Sequence, residues 1–150
     1  MDCRKRPPRS AAGFSLLELL LAVSLAAVVG VVAAPQFVGL VRQYRLTGAA
    51  HQVAFDLDRA RMQAIGQNSF VRIRFLNSTQ YVRETSSDGV NYAAVDSTMT
   101  LPGGISAVSE GTTTSFNKSG MAVAVTTIVL AGGHERKTVS TNSLGRVTVS

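Results

Sequence analysis

A long apolar segment directly behind a basic N-terminus constrains this chain more than any other feature. The 21 residues from 14 to 34 are apolar, with four exceptions: Ser15, Glu18, Ser24 and Gly30. As a helix they would span about 31 Å, the thickness of the hydrocarbon core of a bilayer. Part of the net charge of +6 lies just before them: Arg4, Lys5, Arg6 and Arg9. Such a basic flank is typical of an N-terminus that stays in the cytoplasm. The remaining chain is too polar for a polytopic membrane protein.

Two interpretations of residues 14–34 compete. The segment is either a secretory signal peptide, cut after a small residue such as Ala34, or a membrane helix that the protein keeps. A signal peptide usually has an apolar region of about 7–15 residues, which is shorter than the segment here. The segment also contains an acid, Glu18, near its basic end. The length and the acid favour a retained helix, and the position of any cleavage distinguishes the two.

Glu18 is the most informative single residue of the sequence. A charge at the bilayer centre costs about 3 kcal/mol on insertion scales, so an acid in an apolar helix is a functional candidate. No Lys, Arg or His lies between Phe14 and Gln36. A positive partner would therefore come from another chain or from a newly made N-terminus. The alternative is that the carboxylate reaches back to the membrane surface and has no role.

The residues around Glu18 resemble the cleavage motif of type IV prepilins. The matching segment is Gly13-Phe14-Ser15-Leu16-Leu17-Glu18-Leu19-Leu20, behind the basic leader. The resemblance implies that a membrane-embedded prepilin peptidase cleaves between Gly13 and Phe14 and methylates the Phe14 amine. It also implies that Glu18 of one subunit pairs with the Phe14 amine of the next during filament assembly. Two charges that are unfavourable separately in lipid become tolerable as a pair.

Helical periodicity continues beyond the apolar segment. It predicts one helix from about Phe14 to about Ile65, with a kink or local unwinding at Pro35. An apolar stripe makes its second half amphipathic: Ala50, Val53, Ala54, Leu57, Ala60 and Ala64. Two pairs, Asp56 with Arg59 and Asp58 with Arg61, have the spacing of intrahelical ion pairs on a solvated face. One face of this half is expected to pack on the rest of the chain.

The residues after 68 have the sequence pattern of β-strands separated by turns. Residues 70–75 alternate between apolar and basic side chains, as a half-buried strand does. Asn77-Ser78-Thr79 and Ser87-Asp88-Gly89 predict turns. Further strands are predicted at 80–85, 90–95, 105–108, 126–130, 137–141 and 146–149, with a break at 116–120. The expected fold class is α+β, with the long helix packed on an antiparallel, β-rich domain.

Later segments are similar to the GspH/FimT group of minor pseudopilins and minor pilins. They are the helix end at 57–65, the Phe116-Asn117-Lys118-Ser119-Gly120 segment, residues 127–130 and Gly145-Arg146-Val147. The resemblance implies a type IV pilin-like fold divided into a leader (1–13), a transmembrane half-helix (14–34), an amphipathic half-helix (35–67) and a periplasmic domain (68–150). It implies a subunit of a type II secretion pseudopilus or a type IV pilus, held in the bacterial inner membrane. The implied partners are other pilins, the prepilin peptidase and the inner-membrane assembly platform.

A nucleic-acid contact is a second interpretation of the basic residues. The FimT branch of the group is implicated in DNA uptake through a C-terminal Gly-Arg-x-Arg. Gly145 and Arg146 match this pattern, but Thr148 stands where the second arginine would be. Arg136, Lys137 and Lys118 could extend a patch. Phosphate binding at physiological salt needs several clustered cations, and few are available here.

Nothing in the sequence predicts catalysis, a cofactor or a metal site. His51 has no acid at helical spacing, and His134 lies in a glycine-rich segment that predicts a solvated loop. The single cysteine, Cys3, cannot form a disulfide within the chain. Nucleotide-binding loops and hydrolase elbows are absent from the sequence. A secreted β-rich binding module and a periplasmic enzyme remain alternatives to the pilin interpretation.

Overall fold

The computed structural model describes residues 15–108 and 113–150. The predicted leader at 1–13 and the predicted methylation site, Phe14, lie outside these residues. The chain divides into two compact units between Val38 and Gly39. The second unit contains the C-terminal part of the helix together with all the strands.

One long helix, α1 (Leu16–Gly66), dominates the N-terminal half of the described chain. Its bounds confirm the predicted helix to within two residues. The helix continues through Pro35, so the alternative of a local unwinding there is wrong. Within the described residues, no helix combines the length and the hydropathy required of a membrane-crossing segment.

The C-terminal end of α1 is capped by its own backbone. Asn68 adopts a left-handed conformation with φ of 47°. This lets the Ser69 amide donate to the Ala64 carbonyl and the Asn68 amide donate to the Ile65 carbonyl. This pattern is a Schellman motif, in which asparagine replaces the more usual glycine. The chain then turns directly into the first strand.

The described residues form nine strands. They are β1 (Phe70–Phe75), β2 (Gln80–Ser86), β3 (Ala93–Ala94), β4 (Met99–Thr100), β5 (Ser106–Ala107), β6 (Thr113–Phe116), β7 (Thr126–Gly132), β8 (Glu135–Thr141) and β9 (Val147–Val149). One sheet has the order β3-β2-β1-β6, with β4 also paired to β2, and the other has the order β5-β7-β8-β9. All their pairings are antiparallel. The predicted α+β class is confirmed.

Two details differ from the sequence prediction. The strand expected at 90–95 is reduced to β3, because the Asp88 carboxylate accepts hydrogen bonds from the Val90 and Asn91 amides and turns the backbone. Two short strands, β4 and β6, were not predicted. Strand β6 (Thr113–Phe116) consists mostly of small polar residues and leads directly into the break at 116–120, so its alternation is weak.

The core of the second unit lies between α1 and the two sheets. The helix contributes seven buried residues at helical spacing: Leu46, Ala49, Ala50, Val53, Leu57, Ala60 and Ala64. Four of the seven are alanines, and small side chains let a helix approach a sheet closely. The strands meet them with larger side chains, among them Ile73, Phe116 and Leu130. The predicted packing of an amphipathic half-helix on the β-rich domain is therefore found.

Candidate functional site

The part of the first unit that the structure describes carries an apolar surface with one charged side chain, Glu18. Glu18 lies in the first turn of α1, where the helix dipole favours an acidic side chain. Large apolar side chains around and beyond it are exposed: Leu16, Leu17, Leu19, Leu20, Leu21, Val23, Leu25, Val28, Val29 and Val31. An apolar surface this long needs lipid or other protein to cover it. Gly13 and Phe14, the predicted cleavage residues, lie outside the described chain.

The second part of α1 has two different faces. One face is the buried row that packs on the sheets. The side turned away from the sheets carries a second apolar row: Val41, Tyr44, Phe55 and Met62. The exposed fractions of Tyr44 and Met62 are 82% and 72%. Its members are separated by three, eleven and seven residues, which are close to one, three and two helical turns, so the row lies along one side of the helix.

A buried polar contact joins the helix to the first sheet. Asp56 is 4% exposed, and its carboxylate accepts a hydrogen bond of 2.6 Å from the Tyr81 hydroxyl and one of 3.1 Å from the Gln52 amide. Burial and the bond to this carboxylate raise the pKa of Tyr81 well above its ordinary value of 10.0. The phenol therefore remains a donor across the neutral range.

This contact corrects the predicted ion pairs on α1. The described residues form three ion pairs, and neither Asp56–Arg59 nor Asp58–Arg61 is among them. Asp56 stands three residues after Val53 and four before Ala60, at the edge of the buried face. Its place beside the apolar stripe was the sequence signal for burial. Its partner, Tyr81, lies 25 residues away and had no comparable signal.

Two glycine turns meet at the end of α1 and explain the segments that resemble the GspH/FimT group. Gly120 and Gly145 have φ values of 75° and 76°. Arg61 Nε donates a hydrogen bond of 3.0 Å to the Gly120 carbonyl. A Cβ on Gly145 would lie 2.2 Å from that same carbonyl oxygen. The helix end, the 116–120 turn and the turn before β9 thus fit together only when position 145 lacks a side chain.

Asparagine side chains hold both of these turns. Asn117 Oδ1 accepts hydrogen bonds from the Ser119 and Met121 amides. Asn142 Oδ1 accepts one from the Arg146 amide. Gly145-Arg146 is therefore a turn that enters β9, and its glycine has a structural role.

The structure does not gather the candidate DNA-contacting residues into one patch. Arg136 lies near the first end of β8, whereas Arg146 precedes β9 beside the last residue of β8, because Thr141 pairs with Val147. The length of β8 separates them by about 17 Å at 3.3 Å per residue. Lys137 is half-buried and follows Arg136, so the two side chains leave opposite faces of the strand. A joint phosphate site for these three residues has no geometric support.

The two histidines are both exposed. His134 occupies the turn between β7 and β8, as predicted, and borders an open groove with Gly39, Arg42, Gln43, Gly132 and Glu135. Within the described residues, no group of three or more His, Cys, Asp or Glu side chains is placed to hold a metal ion.

One acidic side chain organises the outer face of the first sheet. Glu84, on β2, accepts hydrogen bonds of 2.7 Å from Arg74 Nη2 and 2.6 Å from Arg72 Nε. These two arginines hold the pKa of Glu84 below its ordinary value. The Arg72 guanidinium also stacks on the Tyr92 ring, 3.8 Å from its centroid. Glu84 neutralises one of the two arginine charges, so the cluster keeps a net charge of one. The mutual pairing of these side chains indicates a structural role.

Two sequence families match the chain. Residues 49–145 match the model of the type II transport protein GspH, and residues 8–34 match the prokaryotic N-terminal methylation motif. The first match covers about two thirds of the chain and includes both glycine turns. The second contains the predicted cleavage residues and Glu18. No individual curated protein matches the chain significantly.

Solved structures show the same fold. The chain is similar to the type IV minor pilin FimU of Pseudomonas aeruginosa in two crystal forms. One match has a TM-score of 0.61 at 17% identity and covers 72% of this chain and 90% of FimU. The other has a TM-score of 0.57 at 18% identity and covers 70% and 92%. The predicted type IV pilin-like fold is confirmed. Together with the match over residues 49–145, it establishes that the chain belongs to the GspH family of pilin-like type II transport proteins.

Proposed function

We propose that this chain is a structural minor pseudopilin or minor pilin that is anchored in the bacterial inner membrane and then assembles into a periplasmic filament. The observation that carries the proposal is the surface of α1 from Leu16 to Val31, which is exposed throughout and mostly apolar, with Glu18 as its one charged side chain. The match to the N-terminal methylation motif covers this same surface. Lipid covers such a surface before assembly, and neighbouring subunits cover it afterwards.

The second part of α1 supports packing between subunits. Its apolar row, which consists of Val41, Tyr44, Phe55 and Met62, is exposed to solvent in the single chain. Packing this row against another helix would remove apolar surface from water on the side that the sheets leave open. The family matched by residues 49–145 is named for type II transport, which favours a pseudopilus over a pilus.

Processing tests the proposal directly. In cells with an active prepilin peptidase, we expect the mature chain to begin at Phe14 and to carry one methyl group on its amine. Intact-mass analysis of the purified protein measures both. Cells with an inactive peptidase provide the control, in which the leader at 1–13 should remain. A mature chain that begins at Pro35 or later would contradict the proposal and identify residues 14–34 as a removed signal peptide.

Replacing Glu18 tests the assembly role. We expect Glu18→Ala to leave membrane insertion intact, because the substitution removes a charge from an apolar segment. We expect it to reduce co-purification with partner pilins roughly tenfold, because the methylated amine of the neighbouring subunit loses its counter-charge in a low-dielectric setting.

The matched control is Ser24→Ala in the same segment. The Ser24 hydroxyl donates to the Leu21 carbonyl of its own helix, so its loss leaves the charge pattern unchanged. Equal recovery of partner pilins with Glu18→Ala and Ser24→Ala would contradict the pairing of Glu18 with a neighbouring amine.

A further inference from the structure

The distribution of charge along α1 marks the point where the chain would leave a membrane. Residues 19–41 contain no charged side chain, and Arg42 and Arg45 are the first charges after Glu18. As a helix, these 23 residues would extend about 34 Å, close to the hydrocarbon thickness of a bilayer. Arginines at the end of such a segment lie at the depth of the lipid headgroups.

The turn between β7 and β8 lies against the helix at this position. The Arg42 side chain passes so close to Gly133 that a Cβ there would lie 3.0 Å from Arg42 Nη1. Gly133 has a φ of 71°, a conformation that favours glycine. The groove beside it joins Arg42 and Gln43 of the helix to His134 and Glu135 of the turn. The helix and the hairpin therefore share one edge of the second unit.

This edge carries exposed arginines from both elements. We name Arg42, Arg45 and Arg136 the basic rim; all three are exposed. Arg136 lies three residues beyond Gly133, within about 10 Å along the strand. None of the three takes part in the ion pairs found among the described residues, in contrast to Arg72, Arg74 and Arg83. Glu135 is the one acid in the groove beside them.

We infer that the basic rim binds anionic phospholipid headgroups at the periplasmic surface of the membrane. The inference rests on the proposed membrane anchorage, and it adds a second contact that holds the globular unit against the bilayer before assembly. Arginine guanidinium groups suit phosphate, because they donate two parallel hydrogen bonds to its oxygens. A duplex DNA ligand is less favoured, since three cations beside an acid neutralise few phosphates.

The test uses the full mature chain reconstituted in nanodiscs. One set contains phosphatidylcholine alone, and the other contains phosphatidylcholine with phosphatidylglycerol. Amide hydrogen exchange is measured across residues 132–137. We expect exchange there to be about fivefold slower in the anionic nanodiscs, since one basic residue near an anionic surface contributes about that factor in affinity. The difference should shrink as salt is added, because salt screens exposed charges.

Two triple variants separate the basic rim from net charge. Arg42→Gln with Arg45→Gln and Arg136→Gln should abolish the difference between the two lipids. The matched control replaces three other exposed cations, Arg59, Lys118 and Arg146, by glutamine. It changes the net charge equally and should keep the full difference.

Each other outcome decides against the inference. Equal exchange in both nanodiscs, with the protein inserted in each, overturns lipid binding while leaving the anchorage intact. Failure to insert even in phosphatidylcholine contradicts the proposed anchorage itself. Slower exchange upon addition of a short DNA duplex to phosphatidylcholine nanodiscs, without an effect of phosphatidylglycerol, would assign the basic rim to nucleic acid instead.

Discussion

Replacing Gly145 by alanine is expected to destabilise the second unit by about 3 kcal/mol or more. The left-handed backbone at this position costs an L-residue about 1–2 kcal/mol. The added Cβ would also lie 2.2 Å from the Gly120 carbonyl oxygen, which is backbone and accepts a hydrogen bond from Arg61. Relief of the overlap requires the two turns to separate, which breaks that bond. Pulse proteolysis of the detergent-solubilised full chain in increasing urea measures the loss.

Two other glycines divide this effect into its parts. Gly104 has a φ of 85° but open space around its Cβ direction, so Gly104→Ala should show the backbone strain alone. Gly103 has open space and no positive φ, so Gly103→Ala should be nearly neutral. Stability should therefore fall in the order Gly103→Ala, Gly104→Ala, Gly145→Ala. A Gly145→Ala variant as stable as Gly104→Ala would show that the contact with the Gly120 carbonyl does not constrain the fold.

The long helix and the longest strands of this fold could be predicted from the sequence. The helix was predictable because its first half is an apolar run of membrane-spanning length and its second half has apolar residues at spacings of three and four. Strands β1, β2, β7 and β8 were predictable because each is at least six residues long and bounded by turn residues. The match to the N-terminal methylation motif was predictable because Gly13, Phe14 and Glu18 follow a basic leader at fixed spacing.

The predictions that failed depend on side-chain hydrogen bonds that the periodicity of the sequence does not show. The sequence predicts Asp56 as a solvated partner for Arg59, because its hydrogen-bond donor, Tyr81, belongs to another element. The sequence predicts a strand over 90–95, but the Asp88 side chain accepts hydrogen bonds from nearby backbone amides and limits the strand to β3.

Tyr81→Phe is expected to destabilise the second unit by about 2 kcal/mol at neutral pH. The substitution removes the 2.6 Å hydrogen bond to Asp56 and leaves a carboxylate that is 4% exposed with Gln52 as its remaining side-chain donor. A buried acceptor that loses a partner keeps its desolvation penalty, which for charged groups exceeds the average hydrogen bond. Tyr44→Phe is the matched control, because Tyr44 is 82% exposed, and should be nearly neutral.

The same contact predicts a loss of stability in alkali. Because the pKa of Tyr81 is raised in the folded protein, the folded state holds this proton more tightly than the unfolded state does. The contribution is complete below pH 10 and decreases as the pH rises above that ordinary value. The free energy of unfolding, measured in urea, should therefore fall more steeply above pH 10 for the wild type than for Tyr81→Phe.

A double variant separates an unpaired carboxylate from simple loss of a contact. Asp56→Leu combined with Tyr81→Phe replaces both partners by apolar groups, which can be nearly neutral in a buried site. We expect the double variant to be more stable than Tyr81→Phe alone, even though it carries more changes. If the effects of the two substitutions on the free energy of unfolding instead add, the contribution of Asp56 to stability does not depend on Tyr81. Apolar packing alone then holds α1 against β2.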